Sequence, residues 1–236
     1  MYRILIFDLD DTLTDDFENC KEAFKFMIKY RNEEYKDENF IKFNEIDKQT
    51  WKDTAKGKLV TPYENDTEKR KEWLRASRII KYYGEKNITY DEAVNLNNIY
   101  MQGMKQRVIS RPNVAKIMEY LYKKNYKIII ATNGPRLPLQ EKIKRLGIVS
   151  YIEFVFSAED IGVMKPHKIY FETLLKNANV LSIEEILIIG DGLDTDIKGG
   201  IDMGIDTCWC NYNKEINTQY AIKYEIHELK ELMEIL

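Results

Sequence analysis

The stretch ILIFDLDDT, residues 4–12, decides how this chain is read. Ile4-Leu5-Ile6-Phe7 is a short unbroken apolar run, the pattern of a strand buried on both faces of a parallel sheet. Asp8, Asp10 and Asp11 follow at once, with Asp15 and Asp16 close behind. Two carboxylates about 4 Å apart repel by roughly 4 kcal/mol at an effective dielectric near 20. A fold keeps such groups together only where water separates them, protons neutralise them or a cation sits among them. The acids begin where the strand should end, and in open α/β sheets that edge is the usual ligand crevice. Taken alone, the stretch also fits a solvated acidic loop. A calcium-binding loop fails on spacing: counting from Asp8, the sixth position is Leu13 rather than Gly, and the twelfth is Asn19 rather than Glu.

Further along the chain, apolar runs of strand type recur at 128–131, 154–156, 186–189 and 205–209. From residue 128 onward they alternate with helical patterns, which predicts βαβ units and a doubly wound, Rossmann-like parallel sheet of the α/β class. Between the first run and the second there is no strand pattern. Phe17, Cys20, Phe24 and Met27 fall at helical spacing, as do Trp73, Ala76, Ile80 and Tyr83. Thr89 followed by Glu92 reads as a capping box opening a helix that carries Ala93, Leu96 and Tyr100. A parallel crossover needs only about a dozen residues. The longer connection is therefore expected to be an inserted all-helical domain at 15–108, with the sheet domain formed by 1–14 and 109–236. Pro112 is expected at the first position of the helix that returns the chain to the sheet.

Composition sets limits. The chain has 236 residues, 44% of them hydrophobic and 32% charged, enough for one large or two modest domains with a buried core. A net charge of −3, from 36 basic and 39 acidic residues, gives no general attraction to nucleic acid. No apolar stretch approaches membrane-spanning length, and Asp8 interrupts the first apolar run too soon for a signal peptide. Cys20, Cys208 and Cys210 show no metal-ligand rhythm and are expected to be reduced core residues, which fits a cytoplasmic location. His167 and His227, the only histidines, are expected to be non-catalytic.

Three further strand ends carry polar chemistry. The run at 128–131 leads into Thr132-Asn133-Gly134-Pro135, a hydroxyl, an amide and a glycine that lets backbone N–H groups approach a phosphate oxygen. In Met164-Lys165-Pro166, the proline keeps Lys165 extended and suits a first helical turn, so Lys165 is expected at a helix N-terminus as an anion site. The run at 186–189 leads into Gly190-Asp191-Gly192 and then Asp194 and Asp196. Two buried strands delivering acids to one edge call for a cation, and oxygen-only donors point to Mg²⁺.

Together, Asp8-Leu9-Asp10-Asp11-Thr12, Thr132-Asn133, Lys165-Pro166 and Gly190-Asp191 with Asp196 resemble the four-part signature of the haloacid dehalogenase (HAD) superfamily of phosphohydrolases, and the helical insertion resembles its C1 cap. GGIDMGIDTCWCN (199–211), IDKQTW (46–51) and GKLVT (57–61) resemble the superfamily's house-cleaning pyrimidine 5′-nucleotidases. The resemblance implies an Mg²⁺-dependent phosphatase acting on a small phosphomonoester, most simply a nucleoside 5′-monophosphate. Asp8 is then the nucleophile and Asp10 the general acid and base. Mg²⁺ is held by carboxylates of Asp8 and Asp191 and the backbone carbonyl of Asp10. Thr132, Asn133 and Lys165 hold phosphoryl oxygens, and Asp196 orients water or Lys165. Asp11, Asp15, Asp16 and Asp194 are left as loop or hinge acids. Dehalogenases of the superfamily lack an acid two residues after the nucleophile, so Asp10 favours phosphate chemistry. Asp11, where phosphomutase relatives usually carry Gly, favours hydrolysis. Trp51, Tyr63 and Trp73 are candidates for stacking on a base, although core packing suits their helical neighbourhoods.

Rival readings are a phosphatase of phosphoglycolate or a sugar phosphate, a receiver-type phosphorylation switch, and a non-catalytic phosphate binder. Receiver modules lack the long insertion after the first strand, and their acid pair precedes a phosphorylated Asp on a different strand. Oligomeric state has no signal in the sequence.

Overall fold

The computed structural model describes residues 2–55, 57–63, 66–134 and 136–236, so Pro135 of the turn named above lies outside the described residues. The strands are β1 (Ile4–Phe7), β2 (Lys127–Thr132), β3 (Ile152–Ser157), β4 (Ile186–Gly190), β5 (Asp206–Cys210) and β6 (Tyr224–Ile226). They form one parallel sheet in the order β3-β2-β1-β4-β5-β6. Strand order reverses beside β1, which pairs with β2 from Ile4↔Lys127 and with β4 from Ile4↔Ile186. That reversal puts a crevice beyond the carboxyl ends of β1, β2 and β4.

The chain divides into two compact units, residues 1–16 with 108–236, and residues 17–107. In the first, the pleat sends Leu5 and Phe7 to one face and Ile4 and Ile6 to the other. Helices α5 (Val114–Lys123), α6 (Arg136–Arg145) and α9 (Leu232–Ile235) supply apolar partners on the Leu5/Phe7 face. Tyr170, Phe171 and Leu174 of α7 (Lys168–Asn177) cover the Ile4/Ile6 face, and the short α8 (Lys198–Asp202) leads into β5. Because both faces are covered, the strands read as continuous apolar runs rather than alternating ones. Cys208 and Cys210 share the Leu5/Phe7 face as buried free thiols. Where the first segment of this unit ends, Thr14 bridges Ser110. Asp15 N–H donates to Ile109 O at 2.8 Å, and Arg111 N–H donates to Leu13 O at 2.9 Å.

The second unit is helical: α1 (Asp16–Tyr30), which begins one residue before it, α2 (Asp37–Ala55), α3 (Thr67–Tyr83) and α4 (Tyr90–Gln106). Its core gathers Phe24, Met27, Phe40, Phe43, Ile79, Leu96 and Tyr100. The Thr89/Glu92 capping box opens α4 as expected. No helix among the described residues is long and apolar enough to cross a membrane.

Several expectations need correction. Pro112 is not in a helix: α5 starts at Val114, and Asn113 at its N-cap takes a left-handed φ of 65°. α7 starts at Lys168 with His167 as N-cap, so Lys165 and Pro166 precede the helix instead of opening it. Among the described residues, the buried apolar positions of α3 are Leu74, Ala76 and Ile79, with Trp73 and Ile80 half-buried at the margin. β6 has only three residues, with a half-buried Tyr, an exposed Glu and a buried Ile, and carries no apolar run to betray it.

Candidate active site

Asp8 follows β1 directly, and its N–H donates to Ile189 O of β4 at 2.9 Å, so the backbone continues the sheet ladder as the side chain turns into the crevice. Lys165 Nζ donates to Asp8 Oδ1 and Asp196 Oδ1, both at 2.6 Å, and to Ala131 O at 2.7 Å. Three protons meet three acceptors, all buried. Burial alone would depress the Lys165 ammonium, but the carboxylates of Asp196 and Asp8 outweigh it and hold the group charged.

Asp191 follows β4. Its Oδ1 accepts from the Thr12 hydroxyl at 2.8 Å, its N–H donates back to Thr12 Oγ1 at 3.0 Å, and its carbonyl accepts from Trp209 Nε1 at 2.9 Å. Leu193–Ile197 then make one wide π-type turn that brings Asp196 back to the same place. Gly192 N–H donates to Asp196 Oδ2 at 3.2 Å. Gly190 is required by this approach, since a Cβ there would stand 2.5 Å from the Asp196 carboxyl carbon.

Carboxylate oxygens of Asp8, Asp191 and Asp196 lie within 4.8 Å of one another. Among the described residues, Lys165 is the cation bonded within this cluster, so negative charge is in excess. Burial pushes the Asp191 carboxyl up to about 7, with help from the Asp196 and Asp11 carboxylates. Burial also raises Asp8, a shift that Lys165 opposes and the neighbouring acids Asp196, Asp191 and Asp10 reinforce. Three close oxygen donors with surplus charge fit a hard divalent cation. Asp196 belongs to this cluster and also bonds Lys165.

Thr132 ends β2, and its hydroxyl oxygen accepts from Gly134 N–H at 2.8 Å. The Asn133 side chain reaches Lys165: its Oδ1 accepts from Lys165 N–H at 2.8 Å, and its Nδ2 donates to Lys165 O at 3.2 Å. Asp10 lies beside them, with Oδ1 held by Lys142 and Oδ2 against Gly134, so closely that a Cβ at that glycine would collide with it. Burial raises the Asp10 carboxyl, and Lys142 pulls it back.

Asp8, Asp10, Thr132, Asn133, Asp191 and Asp196 thus come from the ends of β1, β2 and β4, and Lys165 joins them from the segment between β3 and α7, all in one unit. Trp51, Tyr63 and Trp73 lie in the helical unit, each half-buried. Trp51 Nε1 donates to Asp47 Oδ1 at 3.0 Å. Sequence reasoning missed Thr12, Lys142 and Arg111. Lys142 had a signal: it falls three residues after Leu139 and four before Leu146, on an apolar helix face. Arg111 pairs with Asp15 at 3.1 Å and Asp11 at 3.6 Å, so these two acids are tied at the unit's edge.

With this geometry, the chain belongs to the haloacid dehalogenase-like hydrolase family, whose profile matches residues 2–204. It is a hydrolase of that family. The magnesium-bound crystal structure of the HAD-hydrolase YfnB from Bacillus subtilis aligns with a TM-score of 0.86 at 28% identity, covering 100% of this chain and 98% of that one. The pyrimidine 5′-nucleotidase PynA of Streptococcus pneumoniae is 28% identical, over 100% of this chain and 95% of its own. The glyceraldehyde 3-phosphate phosphatase of Pyrococcus furiosus is 31% identical, over 99% and 92%.

Proposed function

We propose that this protein is an Mg²⁺-dependent phosphomonoesterase that works through an aspartyl phosphate and acts on a pyrimidine nucleoside 5′-monophosphate. The observation that carries the reading is the convergence of Asp8, Asp191 and Asp196 around Lys165, with Asp10 two residues beyond Asp8. Asp8 attacks phosphorus: its carboxylate oxygen gains the P–O bond as the ester P–O bond breaks. Asp10 gives a proton to the departing ester oxygen and then takes one from the water that cleaves the intermediate, help worth roughly 10²–10⁴-fold. The Thr132 hydroxyl, the Asn133 N–H and Lys165 hold the other phosphoryl oxygens as their charge redistributes. Lys165 gives up one of its present bonds to do so. The Asn133 side chain fixes the backbone from which Lys165 reaches. Asp8 and Asp191 carboxylates and the Asp10 carbonyl would hold the metal, with Asp196 alongside. Bound there, Mg²⁺ screens the phosphate dianion from the attacking carboxylate.

Residues 17–107 act in this reading as a cap that selects the substrate, with Trp51, Tyr63 and Trp73 as stacking candidates. Similarity to PynA supports the nucleotide, and the three buried free cysteines support a cytoplasmic setting. Similarity to the Pyrococcus furiosus enzyme favours a second reading, a triose or sugar phosphate. A panel of UMP, CMP, dTMP, glyceraldehyde 3-phosphate, phosphoglycolate and hexose phosphates at fixed Mg²⁺ separates the two. The expected outcome is a kcat/KM for a pyrimidine nucleotide at least about tenfold above any other ester, near the discrimination that one packed pocket supplies. A preference for glyceraldehyde 3-phosphate would replace the nucleotidase reading, and activity that survives full chelation would remove the metal.

A further inference from the structure

Lys142 is 2% exposed, a charge placed where a leucine or methionine would pack more cheaply. Leu139 and Ile143 of α6, and Leu146 just after it, belong to the sheet core. Its Nζ donates to Asp10 Oδ1 and, at 2.9 Å, to Asp16 Oδ1. The Thr14 hydroxyl reaches the same Asp10 oxygen at 3.5 Å. The two oxygens of Asp10 therefore differ. Oδ1 is anchored, whereas Oδ2 lies against Gly134, where a Cβ would collide with it and would stand 3.0 Å from Thr132 Oγ1.

We propose that Lys142 is a positioning residue for phosphoryl transfer, fixing Oδ1 of Asp10 so that Oδ2 meets the ester oxygen beside the Thr132-Asn133-Gly134 turn. The inference rests on the phosphatase reading given above. Lys142 touches neither substrate nor metal in this scheme; it acts through Asp10. Holding the carboxyl in one rotamer spares the transition state the search for it, and the Asp10 proton passes to the leaving oxygen as the P–O bond opens. The bond to Asp16 ties the same ammonium to the first residue of α1, so the anchor cannot follow Asp10 if the carboxyl turns away.

The test is a leaving-group series, with kcat/KM measured for 2,4-dinitrophenyl, p-nitrophenyl and alkyl phosphates on wild type, Lys142→Met and Lys142→Arg. A dinitrophenolate leaves without a proton, and an alkoxide does not. Lys142→Met should lower kcat/KM for the alkyl ester on the order of 10²-fold and for the dinitrophenyl ester less than about threefold. Lys142→Arg should restore the alkyl ester to within about tenfold of wild type, since a guanidinium can bridge the same two carboxylates. An equal loss across the series, or no loss, overturns the positioning role while leaving the phosphatase reading intact. If Lys142→Met does not fold, Lys142→Gln is read on the same series with the same outcomes. A wild type that hydrolyses none of the esters removes the phosphatase reading, and the role of Lys142 with it.

Discussion

Each unit buries charge, and the two do it differently. In the helical unit, Arg78 is 3% exposed and balanced one to one. It pairs with Asp47, donates to Asn97 Oδ1 at 2.8 Å, and lies 4.9 Å from the Tyr100 ring centroid and 5.9 Å from those of Phe43 and Trp51. In the sheet unit, three carboxylates crowd one ammonium at the strand ends. A balanced buried pair holds a core in register, and removing one partner is what hurts. An unbalanced cluster is under electrostatic stress without a ligand, so its residues are held there for something other than stability. The difference teaches where to look for chemistry: at the surplus of buried charge rather than at its presence.

Mutation can break this contrast. The largest effect is expected from Asp8→Asn, which should cut phosphatase kcat by at least about 10⁴-fold, as loss of a nucleophile does, without lowering the melting temperature. Wild-type turnover in a folded Asp8→Asn protein would place the nucleophile elsewhere. Arg78→Met should do the reverse in kind, destabilising the protein by about 3 kcal/mol or more in denaturant melts because Asp47 loses its cation. A neutral result would mean that the pair is not structural.

The smallest effect has the opposite sign. The Asp191 carboxyl titrates near pH 7 when folded and at about 4 when unfolded. Between those values the unfolded chain has lost the proton and the folded one has kept it. Metal-free stability should therefore fall as pH rises from about 4 to about 7, and stay low above that. Asp191→Asn keeps an acceptor for Thr12 and removes the charge. It should stabilise the metal-free protein by about 1–3 kcal/mol at pH 8 and flatten the slope. Mg²⁺ should stabilise wild type more at pH 8 than at pH 5, and the variant little at either. A destabilised Asp191→Asn, matching the sign expected of Asp47→Asn, would erase the distinction between the units.

Much of the fold was legible because its signals are local. Four apolar residues announce β1, Asp8 stands directly after that run and Asp191 one glycine after another, so strand ends and acids were visible together. The Thr89/Glu92 box needs only four residues to be read. What escaped depends on distant partners. β6 is held by pairing with β5 and has no pattern of its own. Asn133 was read through its backbone N–H, yet its side chain bonds the backbone of Lys165, 32 residues away. Lys142 reaches Asp10 from 132 residues away. Pro166 suits a first helical turn, yet α7 opens two residues later at Lys168, because His167, accepting the Ile169 N–H at 3.3 Å, is the residue that caps it.

The central position of β1 has a consequence for how the chain is made. Its first hydrogen-bonded neighbour, β2, leaves the ribosome about 120 residues later, a wait of roughly 6–24 s at 5–20 residues per second. The second, β4, follows later still. Throughout that interval Ile4–Phe7 is a bare apolar strand with both edges unsatisfied, while residues 17–107, built from contacts near in sequence, can already condense. Asp8, Asp10 and Asp11 stand directly after Ile4–Phe7, where charge of the gatekeeper kind disfavours pairing with a second nascent copy.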